Sequence, residues 1–373
     1  MSAPIYLEGI KPPARVVVAM SGGVDSSVTA ALMVEAGYEV IGMTMQLYDH
    51  GFVVEKTKAC CAGIDIYDAR QVAERLGIRH YVLDYESRFK EAVIDDFVES
   101  YTKGHTPIPC VQCNQTVKFV DMLTAAKNLG AAALVTGHYV RRLEGENGPE
   151  LHRGADLRRD QSYFLFSTTK EQLSLLHFPV GGMDKDTTRR HAHRFGLEVA
   201  DKPDSQDICF IPDGDYASLV EKLRPGTLEA GDIVHTNGQV LGQHSGTINY
   251  TVGQRRGLGV SSPDGAPLYV VEVDPQTHRV VVGPKEALSR SYVFVNALNW
   301  LGGEEDTEQE HALMVKIRSA QTPVSAKVSL NLQTRTATIA LETPEYGIAC
   351  GQACVFYDGD RVMGGGWIMG TAK

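Results

Sequence analysis

Residues 15–27 read RVVVAMSGGVDSS, an apolar run followed at once by two glycines, an aspartate and two serines. The run 15–20 predicts a buried strand, and the helix-compatible run from Val28 to Ala36 predicts a helix. Between them, a tight turn at Gly22 and Gly23 would aim successive backbone N–H groups and the positive end of the helix at one point. The stretch therefore predicts a strand, a phosphate-binding loop and a helix.

This loop is not a Walker A motif, because it has no GxxxxGK[ST] pattern and no lysine to reach a terminal phosphate. The form SGGVDSS at 21–27 resembles the PP-loop of ATP pyrophosphatases, which split ATP into AMP and pyrophosphate. The resemblance implies an enzyme that adenylylates its substrate. An ordinary glycine-rich turn between a strand and a helix is the alternative interpretation.

The composition indicates a globular protein of two or three domains, with 373 residues of which 43% are hydrophobic and 22% charged. The formal net charge of −10 argues against a general polyanion-binding protein but permits local basic patches. No run approaches the roughly 18 apolar residues of a membrane span, and the N-terminus lacks the pattern of a signal peptide. We therefore expect a cytoplasmic protein with no membrane contact.

Short apolar runs alternate with helical stretches from about residue 14 to about residue 140, which predicts a doubly wound parallel α/β sheet with ligands at the carboxyl ends of its strands. The expected strands are 15–20, 39–46, 79–84 and 133–137, and the expected helices are 26–36, 66–76, 88–102, 117–129, 169–176 and 187–195. After Asp213 the segments become short and β-rich, and from Ser291 their alternation predicts a small barrel or sandwich. We expect an N-terminal PP-loop domain at 1–213, a central β-rich domain at 214–290 and a C-terminal β-barrel at 291–373.

Seven cysteines are an odd number, and in a protein expected to be cytoplasmic they are more often reduced, reactive or metal-bound than disulfide-bonded. Cys110 and Cys113 form a CxxC sequence ahead of an expected helix, where the helix N-terminus would favour a thiolate. Structural thiols, half of a zinc site and a reactive cysteine are all compatible with it. A zinc site would need a second spaced pair, whereas Cys60 and Cys61 are adjacent.

Cys209 lies between an acidic segment and an apolar one, in DSQDICFIP. Taken alone, it is typical of a buried cysteine. Combined with an adenylylating loop and Cys113, it suggests a sulfur carrier, because ATP can activate a carbonyl oxygen while a cysteine persulfide supplies a soft nucleophile.

A series of strings, in the same order and at the same spacing, resembles the bacterial tRNA-specific 2-thiouridylase family over nearly the whole chain. They are SGGVDSS, CCAGIDIYDARQVAERLGIRHYVLDY, TPIPCVQCNQTVKF, TGHYVRR, RRDQSYFL, DSQDICFI, YTVGQRRGLGV and CGQACVFYDGDRVMGGGWI. The resemblance implies a PP-loop α/β domain, a small central domain and a C-terminal β-barrel. It also implies that ATP adenylylates the C2 oxygen of the wobble uridine U34 and that a persulfide then delivers sulfur, with release of AMP.

For the chemistry, the resemblance implies that Cys209 carries the persulfide and that Cys113 is the partner nucleophile near the target base. Cys113 would either release sulfide from the persulfide or attack it and leave a disulfide with Cys209, and both remain open. The implied ATP-binding residues are Ala19, Met20, Ser21, Gly22, Gly23, Val24, Asp25, Ser26, Met45 and Gly137. Mg²⁺ is expected to balance the ATP phosphates, with Asp25 either holding it or capping the helix. No permanently bound metal is expected.

For the tRNA partner, the implied contacts lie around a base that must leave the anticodon stack, at a cost of a few kcal/mol. They are Ile108, Pro109, Cys110, His138, Arg159, Asp160, Gln161, Arg318, Ser319 and Gln352. The pairs Arg141-Arg142, Arg158-Arg159 and Arg255-Arg256 would form a local basic track. One departure concerns Ile108 and Cys110, which stand where family members have Asn and Asp.

A persulfide donor is the second expected partner, either a relay protein or a cysteine desulfurase. The first rival function is another PP-loop enzyme, such as a carboxylate-activating synthetase or a different tRNA thiolase. An amidating synthetase would need ammonia and has no use for Cys113 and Cys209. The second rival is a non-catalytic RNA-binding protein that kept an ATP fold.

Overall fold

The computed structural model describes residues 4–48, 61–204, 208–211, 215–262, 265–303 and 310–373. The chain forms two compact units. The first contains 1–93, 110–206 and 360–362, and the second contains 94–109, 207–359 and 363–373. The expectations placed on Cys60 fall outside the described residues.

The first unit is built on a parallel sheet of five strands in the order β3-β2-β1-β4-β7. The strands of this unit are β1 (Arg15–Ala19), β2 (Glu39–Gln46), β3 (Arg79–Asp84), β4 (Ala133–Val135), β5 (Val140–Gly145), β6 (Gly148–Arg153) and β7 (Leu176–His177). Strands β5 and β6 form an antiparallel hairpin. The four expected strands are confirmed. Strand β7 lies at the edge of a stretch predicted to be helical, because its two residues are too few to show a period of two.

Helices of the first unit lie in all the stretches predicted as helical there, but two begin earlier than predicted, at Cys61 and Pro109, and Lys170–Leu173 is shorter than predicted. The α-helices are Val24–Glu35, Cys61–Leu76, Glu86–Phe89, Pro109–Cys113, Leu123–Asn128, Lys170–Leu173 and Lys185–Arg194, with 3₁₀ turns at Ser162–Leu165, Pro179–Gly182 and Glu198–Asp201. Two π-helical segments differ from the prediction of continuous α-helices: Lys90–Ile94 lies within the predicted helix 88–102, and Asn114–Met122 overlaps the start of the predicted helix 117–129. The apolar spacing of a sequence does not separate an i+4 from an i+5 hydrogen-bond pattern, so the π-helices were missed.

The second unit contains a mixed four-stranded sheet and a closed barrel. The sheet has the order β10-β11-β8-β9, with β8 (Gly231–His235), β9 (Val240–His244), β10 (Tyr269–Asp274) and β11 (Arg279–Gly283). The barrel has the order β12-β15-β14-β13-β16-β17 and closes through β12 and β17, with β12 (Ser289–Trp300), β13 (Glu310–Lys316), β14 (Val324–Asn331), β15 (Thr336–Tyr346), β16 (Ala353–Asp358) and β17 (Arg361–Ala372). The α-helices Asp95–Thr102 and Tyr216–Leu223 and the 3₁₀ turns Thr247–Asn249 and Lys285–Leu288 also belong to it. The predicted fold class is confirmed.

The pattern of burial explains why these sequences form these strands. Val16, Val17 and Val18 of β1 are all fully buried, because helices cover both faces of a parallel sheet and leave no polar side to its central strand. In β14, buried Ala326 and Val328 alternate with exposed residues, as a barrel with a packed interior requires. No helix in the described ranges is long and apolar enough to cross a membrane.

Candidate active site

Hydrogen bonds of its own serines and the conformation of one glycine fix the shape of the loop after β1. The Ser21 N–H donates to Ser26 Oγ at 3.1 Å, and the hydroxyls of Ser26 and Ser27 donate to the Gly23 carbonyl at 3.1 and 2.9 Å. Gly22 has a φ of +72°, and a Cβ built there would lie 2.1 Å from the Asp65 carbonyl oxygen. Only glycine therefore allows the loop to pack this closely against the helix Cys61–Leu76.

An ion-pair network surrounds the aspartate of this loop. The Asp25 carboxylate accepts a 2.7 Å hydrogen bond from the Tyr139 hydroxyl and contacts Lys185 Nζ at 2.7 and 2.9 Å. The same ammonium lies 2.6 Å from Asp204, to which Arg159 also binds at 2.8 Å. Desolvation raises the pKa of Asp204, but its hydrogen bond and charge contacts with Lys185 and the nearby arginines bring it below its ordinary value.

Asp25 does not cap its helix, so that alternative is wrong. The N-cap is Gly23, which has no side chain to accept a hydrogen bond, and Asp25 lies in the first turn. Its carboxylate still favours the helix, because a negative charge near the N-terminus opposes the positive end of the helix dipole.

A second lysine ties the loop to the neighbouring helix. Lys202 Nζ donates to the Gly22 carbonyl at 3.1 Å and contacts the carboxylates of Asp65 and Asp68. Sequence reasoning singled out neither Lys202 nor Lys185. Lysines at 160 and 180 residues from the loop give no sequence signal of their own, because only the fold brings them there.

The turn Thr136–His138, after β4, touches both the phosphate loop and the helical segment that follows the CxxC sequence. A Cβ on Gly137 would lie 2.8 Å from the Ser26 nitrogen, so this glycine lies directly against the start of the helix Val24–Glu35. The His138 ring packs edge-on against Phe119, with ring centroids 6.0 Å apart. The structure therefore brings together Gly137 and the loop residues expected to bind ATP. Met45 is half-buried on β2, beside Leu83 of β3.

His138 is a half-buried histidine that is neutral at physiological pH. Its Nδ1 lies 2.8 Å from Thr136 Oγ1. Burial, with a smaller contribution from the Lys118 charge, lowers the pKa of His138 to about 3. At neutral pH its imidazole can therefore offer a hydrogen bond but no positive charge.

The cysteine helix, defined here as residues 109–122, holds Cys110 in its first turn and Cys113 at the end of its α-helical part. Cys110 is exposed, whereas Cys113 is buried with 6% of its surface accessible. Burial raises the pKa of both thiols, and the Lys118 charge opposes that effect. The expectation of a stabilised thiolate is therefore wrong for this structure, because Cys113 lies at the far end of the helical turn and is desolvated.

A zinc site at the CxxC sequence finds no support in the structure. No group of three or more His, Cys, Asp or Glu side chains is arranged to hold a metal ion in the part of the chain that the structure describes. Cys354 of the barrel is completely buried, and burial strongly raises the pKa of its thiol, as expected for a packing residue. Cys350 is half-buried.

Cys209 lies on a short turn of the second unit and is exposed. The Ile211 N–H donates to the Ile208 carbonyl at 2.8 Å, which closes the turn. Phe210 is 2% exposed and packs edge-on against Phe97, with ring centroids 5.5 Å apart. The buried phenylalanine therefore anchors the turn and leaves the adjacent cysteine at the surface.

Several of the residues expected to contact tRNA have structural partners. The Asp160 carboxylate accepts hydrogen bonds from the N–H groups of Gly154 and Ser162 and has 2% of its side chain exposed. Gln161 Oε1 accepts the Tyr139 N–H at 2.8 Å. Arg159 stays 42% exposed and borders a cavity of about 530 Å³ that is also lined by Lys185.

The arginines of the expected basic track differ in exposure and in their ion pairs. Arg142 is nearly buried and pairs with Glu144, and Arg141 donates to the Arg153 carbonyl and to Asp360. Arg158 is 86% exposed. In the second unit, both Arg255 and Arg256 are exposed, as are Arg318 and Ser319.

Three family models match consecutive parts of the chain. They are described as the tRNA methyl transferase HUP domain (residues 14–213), the tRNA methyl transferase PRC-barrel domain (221–284) and the aminomethyltransferase beta-barrel domain (290–368). The tRNA-specific 2-thiouridylase MnmA of Rhodospirillum centenum is 62% identical over 361 residues, covering 95% of this chain and 91% of the relative. The chain belongs to the tRNA-specific 2-thiouridylase MnmA family.

The chain is also similar to a second MnmA protein and, much more weakly, to a solved structure. The MnmA protein of Rickettsia felis is 58% identical over 353 residues, covering 95% of this chain and 96% of the relative. The solved U34-tRNA thiolase NcsA of Methanococcus maripaludis, with its 4Fe–4S cluster, is similar over 60% of this chain and 70% of its own, at 17% identity and a TM-score of 0.36. That likeness is too low to carry an argument about this member of the MnmA family.

Proposed function

We propose that the protein is an ATP-dependent tRNA-uridine 2-sulfurtransferase that acts on the wobble uridine U34. ATP adenylylates the C2 oxygen of the base and pyrophosphate leaves. Sulfur from a cysteine persulfide then replaces that oxygen, giving 2-thiouridine and AMP. The observation that carries the proposal is the turn Thr136–His138, which lies against the phosphate loop through Gly137 and against the cysteine helix through His138.

The phosphate loop performs the ATP half of the reaction. Gly22 and the hydrogen bonds of the loop serines fix the conformation of the loop, so phosphate oxygens can bind to its backbone with little further ordering. We propose ATP contacts at residues 19–26, at Met45 and at Gly137. Adenylylation converts the C2 oxygen into a good leaving group, since it departs as the phosphate monoester AMP.

Mg²⁺ fits this loop through a single protein ligand. Asp25 keeps 30% of its side chain exposed, and Mg²⁺ bound to a nucleotide needs only one or two carboxylates in addition to the phosphates. When bound, Mg²⁺ supplies charge neutralisation for the ATP phosphates. Lys185, which now neutralises Asp25, keeps a second carboxylate partner in Asp204 and can remain paired there.

The two cysteines divide the sulfur half of the reaction. Cys209 is exposed, so a donor protein can load its sulfur as a persulfide. Cys113 is buried, which suits a thiol that acts only once the substrate is bound. Either sulfide is released first and then attacks C2, or the persulfide attacks C2 before Cys113 reacts. In both cases the Cys113 thiolate attacks Cys209 Sγ, the S–S bond to the sulfane sulfur breaks, and a Cys113–Cys209 disulfide forms. Two electrons from an external dithiol must then reduce that disulfide.

The substrate is a tRNA anticodon loop. We propose that Ile108, Pro109, Cys110 and His138 surround the extruded base, and that Arg159, Asp160, Gln161, Arg318 and Ser319 lie along the bound RNA. The exposed guanidinium groups of Arg159 and Arg318 support phosphate contacts. Asp160 would act indirectly, since its carboxylate is buried and holds the backbone of this segment.

The deciding experiment is nucleoside mass spectrometry on unmodified tRNA incubated with the protein, ATP, Mg²⁺ and a sulfide source. Wild type should form 2-thiouridine together with AMP and pyrophosphate. Formation of AMP and pyrophosphate without a thiolated base would overturn the proposed acceptor and point to another substrate of a PP-loop enzyme. RNA binding with no ATP cleavage would overturn the enzyme assignment.

A further inference from the structure

Residues 94–109 belong to the second unit, although the chain on both sides of them belongs to the first. The helix Asp95–Thr102 forms half of this segment. The last residue of the segment 94–109, Pro109, is also the first residue of the cysteine helix. The segment is therefore the covalent link through which the second unit leads into the residues proposed to surround the target base.

The helical end of the segment is held by a cluster of aromatic rings within the second unit. Phe97 packs against Phe210 and Tyr216, with ring centroids 5.5 and 6.0 Å apart. Tyr101, one helical turn later, stacks on Tyr216 at 6.3 Å. Burial among these rings raises the pKa of Tyr101 to about 12. This end of the segment is consequently fixed by side-chain packing.

Near the other end of the segment, the backbone of Thr106 forms two hydrogen bonds to the turn that precedes β16. The Thr106 N–H donates to the Cys350 carbonyl at 2.8 Å, and the Thr106 carbonyl accepts from Gln352 Nε2 at 2.9 Å. Both polar groups of the Thr106 backbone are thus satisfied by residues 350–352. This turn is itself attached to β17, because the Gly351 N–H donates to the Ile368 carbonyl and the Ile368 N–H donates to the Gln352 carbonyl.

Gly351 allows the turn to approach Thr106 this closely. Its φ is +86°, and a Cβ built there would lie 2.9 Å from His105 Cβ and 3.0 Å from the Thr106 nitrogen and oxygen. A side chain at this position would push the segment away and would also strain the backbone. The contact is therefore a direct backbone-to-backbone contact that the Gln352 amide completes.

The residues after Thr106 transmit its position to the cysteine helix. Pro107 and Pro109 have a fixed φ and no N–H group, and each restricts the residue before it to extended conformations. Pro109 also suits the first position of a helix, where its ring pre-sets the helical φ. The run 106–109 is consequently a stiff connection between the Gln352 contact and Cys110.

We propose that Gln352 is a positioning residue that sets the location of Ile108, Pro109 and Cys110 by holding the Thr106 carbonyl. This role rests on the proposed function and assigns Gln352 a part that differs from a tRNA contact. Its amide nitrogen is already used by Thr106 in the unliganded protein, at 2.9 Å. Loss of the Gln352 donor should therefore lower the rate of the chemical step and leave the affinity for tRNA unchanged.

The test compares Gln352→Leu and the isosteric Gln352→Glu, neither of which can donate to the Thr106 carbonyl, with Gln333→Leu as a control. Gln333 is an exposed glutamine of the same barrel, in the turn between β14 and β15. Gly351→Ala displaces Thr106 by a separate, steric route. Thermal unfolding of each variant verifies that it folds.

At saturating tRNA, both Gln352 variants and Gly351→Ala should lower the kcat of thiolation by roughly 10- to 100-fold, with the tRNA Kd within about twofold of wild type. Hydrogen–deuterium exchange in peptides that span 103–113 should become faster in the same variants. Gln333→Leu should match wild type in all three measurements.

Two results would overturn the proposal. A raised tRNA Kd with an unchanged kcat in the Gln352 variants would make Gln352 a direct tRNA contact. Wild-type exchange in peptides 103–113 would show that the Thr106 contact does not position the segment. The exchange measurement needs neither ATP nor tRNA, so it decides the structural role even when wild type forms no 2-thiouridine, an outcome that would refute the proposed function instead.

Discussion

The phosphate loop and the cysteine helix lie on either side of the turn Thr136–His138, yet their side chains are prepared for chemistry to different degrees. The loop is ordered by hydrogen bonds from its own serines, and its aspartate is already paired with Lys185. The cysteine helix instead buries Cys113 and raises the pKa of its thiol. The proposed ATP half of the site is thus organised by its own hydrogen bonds, whereas burial favours the neutral thiol in the proposed sulfur half.

This difference has a chemical advantage. A preorganised phosphate loop costs little reorganisation when ATP binds. A persistently ionised thiol would be exposed to oxidation and to side reactions, because reactivity follows thiolate character and access. We propose that keeping Cys113 protonated until the substrate arrives limits its reaction to the persulfide carried by Cys209.

The largest expected effect is that of Cys113→Ser, which should stop sulfur transfer and leave the reaction with ATP intact. Cys113→Ser should lower 2-thiouridine formation by about three orders of magnitude or more, because it removes the proposed nucleophile. Pyrophosphate release on addition of tRNA should persist, since the phosphate loop is unchanged. Mass spectrometry of nucleosides and a pyrophosphate assay measure the two halves.

Cys110→Ser is the matched control for Cys113→Ser, and it should retain thiolation because its thiol is not the proposed nucleophile. Loss of thiolation in Cys110→Ser alone would move the nucleophile to Cys110. Loss of pyrophosphate release in Cys113→Ser would contradict the independence of the two halves.

A pair of adjacent glycine variants tests the phosphate loop. Gly22→Ala should lower ATP-dependent activity by about 100-fold or more, because its Cβ would meet the Asp65 carbonyl and force the loop to move. Gly23→Ala should be tolerated, since the nearest atom to a Cβ there is Ser21 Oγ at 3.5 Å. ATP affinity measured by titration and AMP release report the result. Equal losses in the two variants would show that the loop needs flexibility at both positions.

The ion-pair network can be tested as a source of stability. Lys185→Met leaves the Asp25 and Asp204 carboxylates without the ammonium that both contact, and we expect a loss of about 2 kcal/mol in the free energy of unfolding. Lys327→Met breaks the exposed pair with Glu310 and should change stability by less than about 0.5 kcal/mol. Urea denaturation of both variants makes the comparison. Similar values for the two would mean that the Lys185 network contributes no more than a surface ion pair.

The last comparison concerns pH and two histidines, His138 in the turn and His177 beside it. Burial lowers the pKa of His177 to about 4 and that of His138 to about 3, from an ordinary value of 6.5. Below 6.5 the unfolded chain binds protons that the folded histidines do not, so stability should fall as the pH decreases, by up to about 1.4 kcal/mol per pH unit for each histidine.

Urea denaturation at several pH values between about 7.5 and 5, in wild type and in His177→Gln, measures this contribution. The variant should show a shallower loss of stability with falling pH, since one of the buried histidines is removed. An unchanged slope in His177→Gln would mean that His177 becomes protonated within the folded protein.

Much of the fold was predictable because its signals are local. The valines of β1 and the glycines that follow them are consecutive residues, and four of the five parallel strands were predicted from such runs. The missed features depend on longer-range geometry. Strand β7 is only two residues long, and the π-helix Asn114–Met122 differs from an α-helix in hydrogen bonding rather than in apolar spacing.

For the candidate site, the sequence resemblance identified the cysteines and the phosphate loop. It did not predict the pKa of the Cys113 thiol or the lysines that contact the loop. The CxxC sequence suggested a thiolate, whereas packing around Cys113 raises the pKa of its thiol. The lysines that hold the loop, Lys185 and Lys202, carry no motif. Asp160, which was expected beside tRNA, has a carboxylate that accepts hydrogen bonds from the neighbouring backbone, a contact that no motif indicates.

The sequence by itself determined the strand–loop–helix unit at 15–35, the alternation that makes a parallel sheet, and family membership through motifs of consecutive residues. Backbone propensity and apolar periodicity act over a few residues, so they can be read along the chain. The tertiary structure alone decided which charges meet at Asp25, that Cys113 is desolvated, and that Gln352 holds Thr106 from 246 residues away. Burial and pairing depend on groups that are distant in sequence, and only folding brings those groups within a few ångströms of one another.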